Sequence, residues 1–260
     1  MDIYLDLTSA LAFILVMLRM TGMMVFNPIL GRANIPTQLS VGFAFILAIL
    51  LTTTRSFPAL PDPNLGNLIF MAVSEMLIGM AAGIIIRAIS SALIIAGELI
   101  DMQMGIAMAK IFDPGTNASI ALTANMFNIM FIFTFFITNN HLTFIYMVAQ
   151  TFDIIPLGTL GISPAALYYL PNLISTVLLF AVKLALPIVV VELIVTMAVG
   201  VMMRIVPQIS VFVVSIQLRL MIGIFALIVL VGPFMAFMEN LWMVSFEHVI
   251  EIWRLMFMFD

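Results

Sequence analysis

The chain contains no cysteine, which removes disulfides, thiolate chemistry and iron–sulfur ligation. Histidine occurs only twice, as His141 and His248, and two isolated imidazoles cannot furnish a zinc site on their own. Charge is scarce: Lys, Arg, Asp and Glu make up 8% of the 260 residues, where soluble chains carry about 25%. A globule of this size covers much of its exterior with polar side chains, and here there are too few of them. Its surroundings are therefore lipid or other protein. A net charge of −4 supplies no basic stripe for phosphate backbones, which excludes nucleic acid. Disorder is excluded as well, because 64% of the residues are hydrophobic. No Gly-rich phosphate cradle, Ser/His/Asp arrangement or paired-carboxylate site is present, so neither enzymatic activity nor a cofactor is expected.

The opening Met1-Asp2-Ile3-Tyr4-Leu5-Asp6 carries acids but no Lys or Arg ahead of the first apolar run. It lacks the basic region of a cleaved secretory leader, so the first segment is expected to be retained. Asp2 stands where myristoylation needs glycine, and no prenylation signal exists without cysteine.

What is there is long and apolar. Runs bounded by charges and by Gly, Pro and Asn predict helices over 8–26, 39–54, 68–96, 120–138, 142–152, 172–203 and 211–238, followed by a shorter amphipathic tail. Connections are short and rich in turn residues, which leaves no linker and predicts one membrane domain over 1–260. The fold class that follows is an all-α integral membrane protein of long kinked helices and helical hairpins. At ~1.5 Å per residue, 172–203 would measure ~48 Å and 68–96 ~43 Å, against a hydrocarbon core of ~30 Å. The piece 142–152 is too short to cross and is expected to form a hairpin with 120–138. Pro187, inside the longest run, should kink it.

Loop charges do not fix an orientation. Arg32 and Lys110 fall in odd-numbered connections and Arg55, Arg204 and Arg219 in or beside even ones, whereas loop cations should cluster on the cytoplasmic side. Either some runs are miscounted, or several helices are covered by other proteins rather than lipid.

Glu75, Gly79, Gly83 and Arg87 recur at four-residue intervals, and Glu192, Thr196, Gly200 and Arg204 repeat the order and spacing. Such a stripe lies on one helix face. Small residues admit a close neighbour, and charges in an apolar setting need partners. Two readings stay open: packed faces with interhelical or intersubunit ion pairs, or an ion or proton pathway. Arg19, near the end of its helix, is expected to snorkel towards water. Lys183 and Glu192 are too far apart in register to face each other on one helix.

The stretch 97–118 differs from the rest of the chain. It mixes small residues with Met102, Met104 and Met108 and ends in Asp113-Pro114-Gly115, where an extended step and a turn are enforced. It reads as a loop that stays apolar, which hydrocarbon would expel as irregular backbone. It is either buried in protein or lining a cavity, or an ordinary connector packed by its own side chains. Flexible methionine suits a surface that must seal and then deform, although filler is its common use.

Two motifs carry a resemblance. Gly97-Glu98, Gln103-Met104-Gly105, Ala109 and Asp113-Pro114-Gly115 resemble the corresponding loop of the FliR family of flagellar export proteins and its virulence-system relatives. Residues 204–214, with Arg204, Pro207, Gln208, Ser210 and Phe212, look like that family's second signature, although Ser215-Ile216-Gln217 stands where the family often has Gly-Phe-Pro. Arg19, Asn27-Pro28 and the order of apolar runs agree. The resemblance implies a core subunit of the type III export gate in the bacterial inner membrane, with the flagellar system preferred. It implies a fold like a fused P-type and Q-type subunit, FliP-like, FliQ-like and FlhB-like neighbours, and unfolded exported proteins as substrates. It further implies helices lifted partly to the periplasmic side in a protein cone. Carried over by position, the family's plug falls on Met104, Gly105, Met108, Ile111, Phe112, Asp113 and Pro114. Glu75, Gly79, Gly83, Arg87, Glu192, Gly200, Arg204, Pro207 and Gln208 are the expected assembly residues. The rival from another class is a small secondary transporter that uses Glu75, Arg87, Lys183 and Glu192 for substrate or proton coupling. A membrane enzyme centred on His141 and His248 is a more distant alternative.

Overall fold

A computed structural model describes residues 2–32, 35–55, 57, 64–106, 121–159, 163, 168–205 and 211–257. Among them the regular structure is helical throughout, with no strand. The helices are α1 (Asp2–Phe26), α2 (Thr37–Thr54), α3 (Leu65–Met104), α4 (Leu122–Ile137), α5 (Asn140–Ile154), α6 (Leu170–Ile205), α7 (Val211–Val229) and α8 (Val231–Phe257). Four of them, α1, α2, α3 and α6, are long and apolar enough to cross a membrane, and up to six spans result if each of two bent pairs counts as one. This is an all-α integral membrane protein. α3 has 40 residues and α6 has 36, or ~60 Å and ~54 Å of rod against ~30 Å of hydrocarbon.

Two boundaries differ from expectation. The stretch 97–104, which its glycine and methionines mark as loop, continues α3 without a break. Gly97 is there for room rather than for a turn, since a Cβ at that position would strike the backbone and Cβ of Ala124. The helix instead ends at Gly105, whose φ of +81° is the left-handed conformation that glycine adopts most readily. The run 211–238 breaks at Leu230, and the tail expected to be separate is part of α8. α6 runs on past Pro187, and Asn139, with φ of 59°, separates α4 from α5.

The residues gather into two compact units: 1–89, 139–174 and 242–260 in the first, and 90–138 and 175–241 in the second. In the first, α1 and α3 cross at glycines. A Cβ on Gly22 would lie 2.6 Å from the Met76 carbonyl oxygen, one on Gly83 2.7 Å from the Phe26 Cβ, and one on Gly79 would run into the Arg19 carbonyl. Met20, Met23 and Met24 on α1 and Met71, Ile86 and Ile89 on α3 are fully buried. Trp253 near the end of α8 is sealed from solvent and donates its indole N–H to the Ile78 carbonyl at 3.2 Å. In the second unit, edge-to-face pairs Phe127–Phe234 (5.2 Å between centroids) and Phe180–Phe237 (5.5 Å) join α4 and α6 to the start of α8.

Replacing Gly79 with leucine should lower the accumulated level and thermal stability of the protein sharply, because the obstacle is backbone and cannot swing aside. Fluorescence-detected size exclusion in detergent measures both, and wild-type behaviour would contradict the packing described.

Candidate functional site

The first unit is centred on a charge that apolar surroundings cannot hold alone. Arg19 on α1 is fully buried, and its Nε donates to a carboxylate oxygen of Glu75 on α3, which is equally buried. It does not snorkel: α1 buries it against α3 at the glycine crossing, where water is out of reach. Its Nη1 donates to the carbonyls of Thr151 (3.3 Å) and Ile155 (3.0 Å) at the end of α5, and its Nη2 is buried without a hydrogen-bond partner. Its guanidinium lies 4.3 Å from the centre of the Phe152 ring. The second oxygen of Glu75 accepts the Gly158 N–H at 2.9 Å, and Gly158 has φ of +77°. One ion pair thus ties together α1, α3, the end of α5 and the turn that follows.

In the second unit the polar groups cluster at the root of the segment beginning with Met104. Asp101, buried on α3, accepts the backbone N–H and the hydroxyl of Thr123 through one oxygen, and so caps the first turn of α4. Met104, 1% exposed, lies against Gly223 of α7: a Cβ there would meet the methionine side chain at 2.6 Å and an oxygen of Glu192 at 2.8 Å. Glu192 is fully buried and neither of its oxygens has a hydrogen-bond partner, while Arg219 of α7 is the charge that acts on it. Met104, Ile106, Leu122, Met126, Leu220 and Ile224 line an apolar cavity of about 650 Å³.

The two similar stripes are thus used differently. On α3, Gly79 and Gly83 are filled by α1, Glu75 is held by Arg19, and the exposed Arg87 reaches the Gly31 carbonyl at 3.4 Å. On α6, Glu192 faces inward, a methyl added at Gly200 would meet nothing within 4 Å, and Arg204 is exposed. Lys183 is exposed 6.0 Å from the Phe180 ring centre. Met108, Ile111, Phe112, Asp113, Pro114, Pro207 and Gln208 lie outside the described residues.

Sequence reasoning misses three partners. Besides Glu75, the acceptors for Arg19 are backbone carbonyls and so leave no signature. Arg219 reads in the sequence only as a loop-edge charge. The Tyr169 hydroxyl bonds to His248 Nδ1 and lies 3.3 Å from a Glu251 oxygen. Burial, aided by Glu251, pushes the Tyr169 phenol up to about 12.

Overlong apolar helices around a buried ion pair define a membrane-embedded helical protein. The family model for bacterial export proteins, family 1, matches residues 10–244, and the chain belongs to that family. Similar relatives are the flagellar biosynthetic protein FliR of Escherichia coli (strain K12), 28% identical over 237 residues that cover 91% of this chain and 90% of that protein, and the protein of the same name from Bacillus subtilis (strain 168), 28% identical over 241 residues that cover 91% and 92%. A third, from Pectobacterium carotovorum subsp. carotovorum, is 28% identical over 225 residues and covers 86% of each chain.

Removing one member of the Arg19–Glu75 pair leaves the other charged and buried, which costs about 3–5 kcal/mol, whereas removing both costs less. Glu75→Leu and Arg19→Leu should each lower the unfolding midpoint in detergent, and the double variant should fall by clearly less than their sum. Additive losses would show that the pair is not coupled.

Proposed function

We propose that the chain is a core subunit of the flagellar, type III protein export gate of the bacterial inner membrane, and that it works by packing and sealing rather than by catalysis. The observation that carries this reading is the surplus of apolar helix in a member of a bacterial export family. α3 and α6 greatly exceed a bilayer and leave large apolar side chains exposed, Ile69, Phe70, Ile194 and Met197 among them. Neighbouring proteins satisfy such surfaces where lipid cannot reach. The relatives' name, flagellar biosynthetic protein, favours the flagellar system.

FliP-like and FliQ-like subunits are the expected partners along these helices, with a FlhB-like subunit as a further neighbour and the assembly partly raised to the periplasmic side. The segment 104–114 closes the resting pore by apolar packing that excludes water and ions, and an unfolded substrate displaces it. Two features support a plug rooted here: Met104 is anchored against Gly223, and Gly105 turns the chain sharply out of α3 beside the apolar cavity. The transporter alternative needs Glu75, Arg87, Lys183 and Glu192 available to substrate; Glu75 is instead consumed by Arg19 and the Gly158 N–H.

Deleting 106–112 should make the assembled gate conduct small ions at rest, as read by single-channel recording or by ion sensitivity of cells expressing it. Conductance equal to wild type would remove the plug. Co-expression with the two other small hydrophobic export proteins should be needed for a stable particle. A chain that is monodisperse alone and moves a small solute across vesicles would instead favour the transporter.

A further inference from the structure

Two side chains of the second unit share one niche on α7. A Cβ built on the buried Gly223 would lie 2.6 Å from Met104 Cε, 2.7 Å from its Cγ and 2.8 Å from Glu192 Oε1. The last side chain of α3 and the carboxyl of α6 therefore meet in the space that a glycine leaves open. Arg219 stands one turn earlier on the same face of α7, about 6 Å along the axis and within the length of its own side chain. Yet acid and guanidinium do not close. Both oxygens of Glu192 and the Nε of Arg219 are buried without a hydrogen-bond partner, and the ion pairs among the described residues are Arg19–Glu75 and Arg55–Asp153. Arg219 is nevertheless the charge that acts on Glu192.

Met104 is the member that can leave. Methionine is unbranched and bends freely, and with Leu220 and Ile224 of α7 it lines the apolar cavity of about 650 Å³. Asp101, the other acid at this end of α3, already gives one oxygen to Thr123, which leaves Glu192 as the acid for Arg219 to answer. Glu192 and the Nε of Arg219 are withdrawn from water, so closing them adds attraction at little further desolvation. We infer that Met104 is a wedge that holds Glu192 and Arg219 apart, and that its withdrawal into the cavity lets the two close into an ion pair that keeps the end of α3 released. The seated methionine and the closed pair are then the two arrangements of one bistable element. The inference deepens the gate reading and rests on it for its role. Met104 and Gly105 root the segment 104–114, and an exported chain that draws this root outward is helped by a contact that forms as the methionine leaves.

The test uses the full chain co-purified with its export partners. In the wild type, Glu192→Gln and Arg219→Leu should act nearly independently on the unfolding midpoint. After Met104→Ala the same two substitutions should be coupled by about 3 °C or more. Gly223→Ala, whose Cβ displaces the flexible methionine, should produce the coupling by another route, so a particle lost to one variant is read with the other. Coupling equal with and without the wedge, or absent from every background, would overturn the inference. Resting ion conductance of the same particles separates the pair from the pore: Met104→Ala should raise it about tenfold, and adding Arg219→Leu should return it towards wild type. Coupling without that rise would keep the pair and overturn its part in gating. If the wild-type chain retrieves no other subunit, the gate reading falls, while the coupling measured on the chain alone still decides the wedge.

Discussion

A guanidinium closed off from water needs protein acceptors, and the first unit is arranged around Arg19, whose Nε and Nη1 are answered while Nη2 is not. Desolvating an ion pair costs several kcal/mol per ion unless the remaining donors and lone pairs are used. Here the carboxylate of Glu75, two carbonyls at the end of α5, the face of Phe152 and the Gly158 N–H share the work. These groups come from separate parts of the chain. The pair therefore specifies which helix ends meet, where apolar contacts alone would tolerate slippage. The glycine crossing of α1 and α3 is its steric counterpart, since Gly79 lies against the backbone of Arg19 itself.

Buried polar groups without a hydrogen-bond partner occur in both units, Nη2 of Arg19 and the Thr151 hydroxyl being those of the first. Asp101 uses one oxygen on Thr123 and leaves the other unpaired, and both oxygens of Glu192 and the Nε of Arg219 have no hydrogen-bond partner. These groups lie where α3 ends in Met104 and Gly105. Incomplete satisfaction is a usual mark of a region that changes partners or shape, because a fully answered network holds a single arrangement.

Much of the fold was legible from composition alone. Scarce charge and long apolar runs point to an all-α membrane protein, and most helix positions follow from where Pro, Gly and Asn interrupt those runs. The misplaced boundary of α3 comes from reading glycine as punctuation. Gly97 sits mid-helix because Ala124 crowds it, while Gly105, eight residues on, is the true stop. The stripes of Glu, Gly and Arg are visible in the sequence, but their partners are not, because spacing along one helix says nothing about which other helix arrives. Arg19 resembles a surface-seeking side chain by its place near a helix end. Only the fold reveals that α1 is buried there.

The first unit is stitched from three separated stretches of sequence, with Trp253 fastened to the carbonyl of Ile78 across 175 residues. Contacts so distant in sequence are slow to form and cannot form at all until the later partner exists. A ribosome delivers that tryptophan long after α1 and α3 have left it. The earlier helices must therefore wait, unfinished and greasy, through most of translation, which makes maturation of this subunit a late event and exposes its nascent form to whatever insertion machinery or sister protein is at hand.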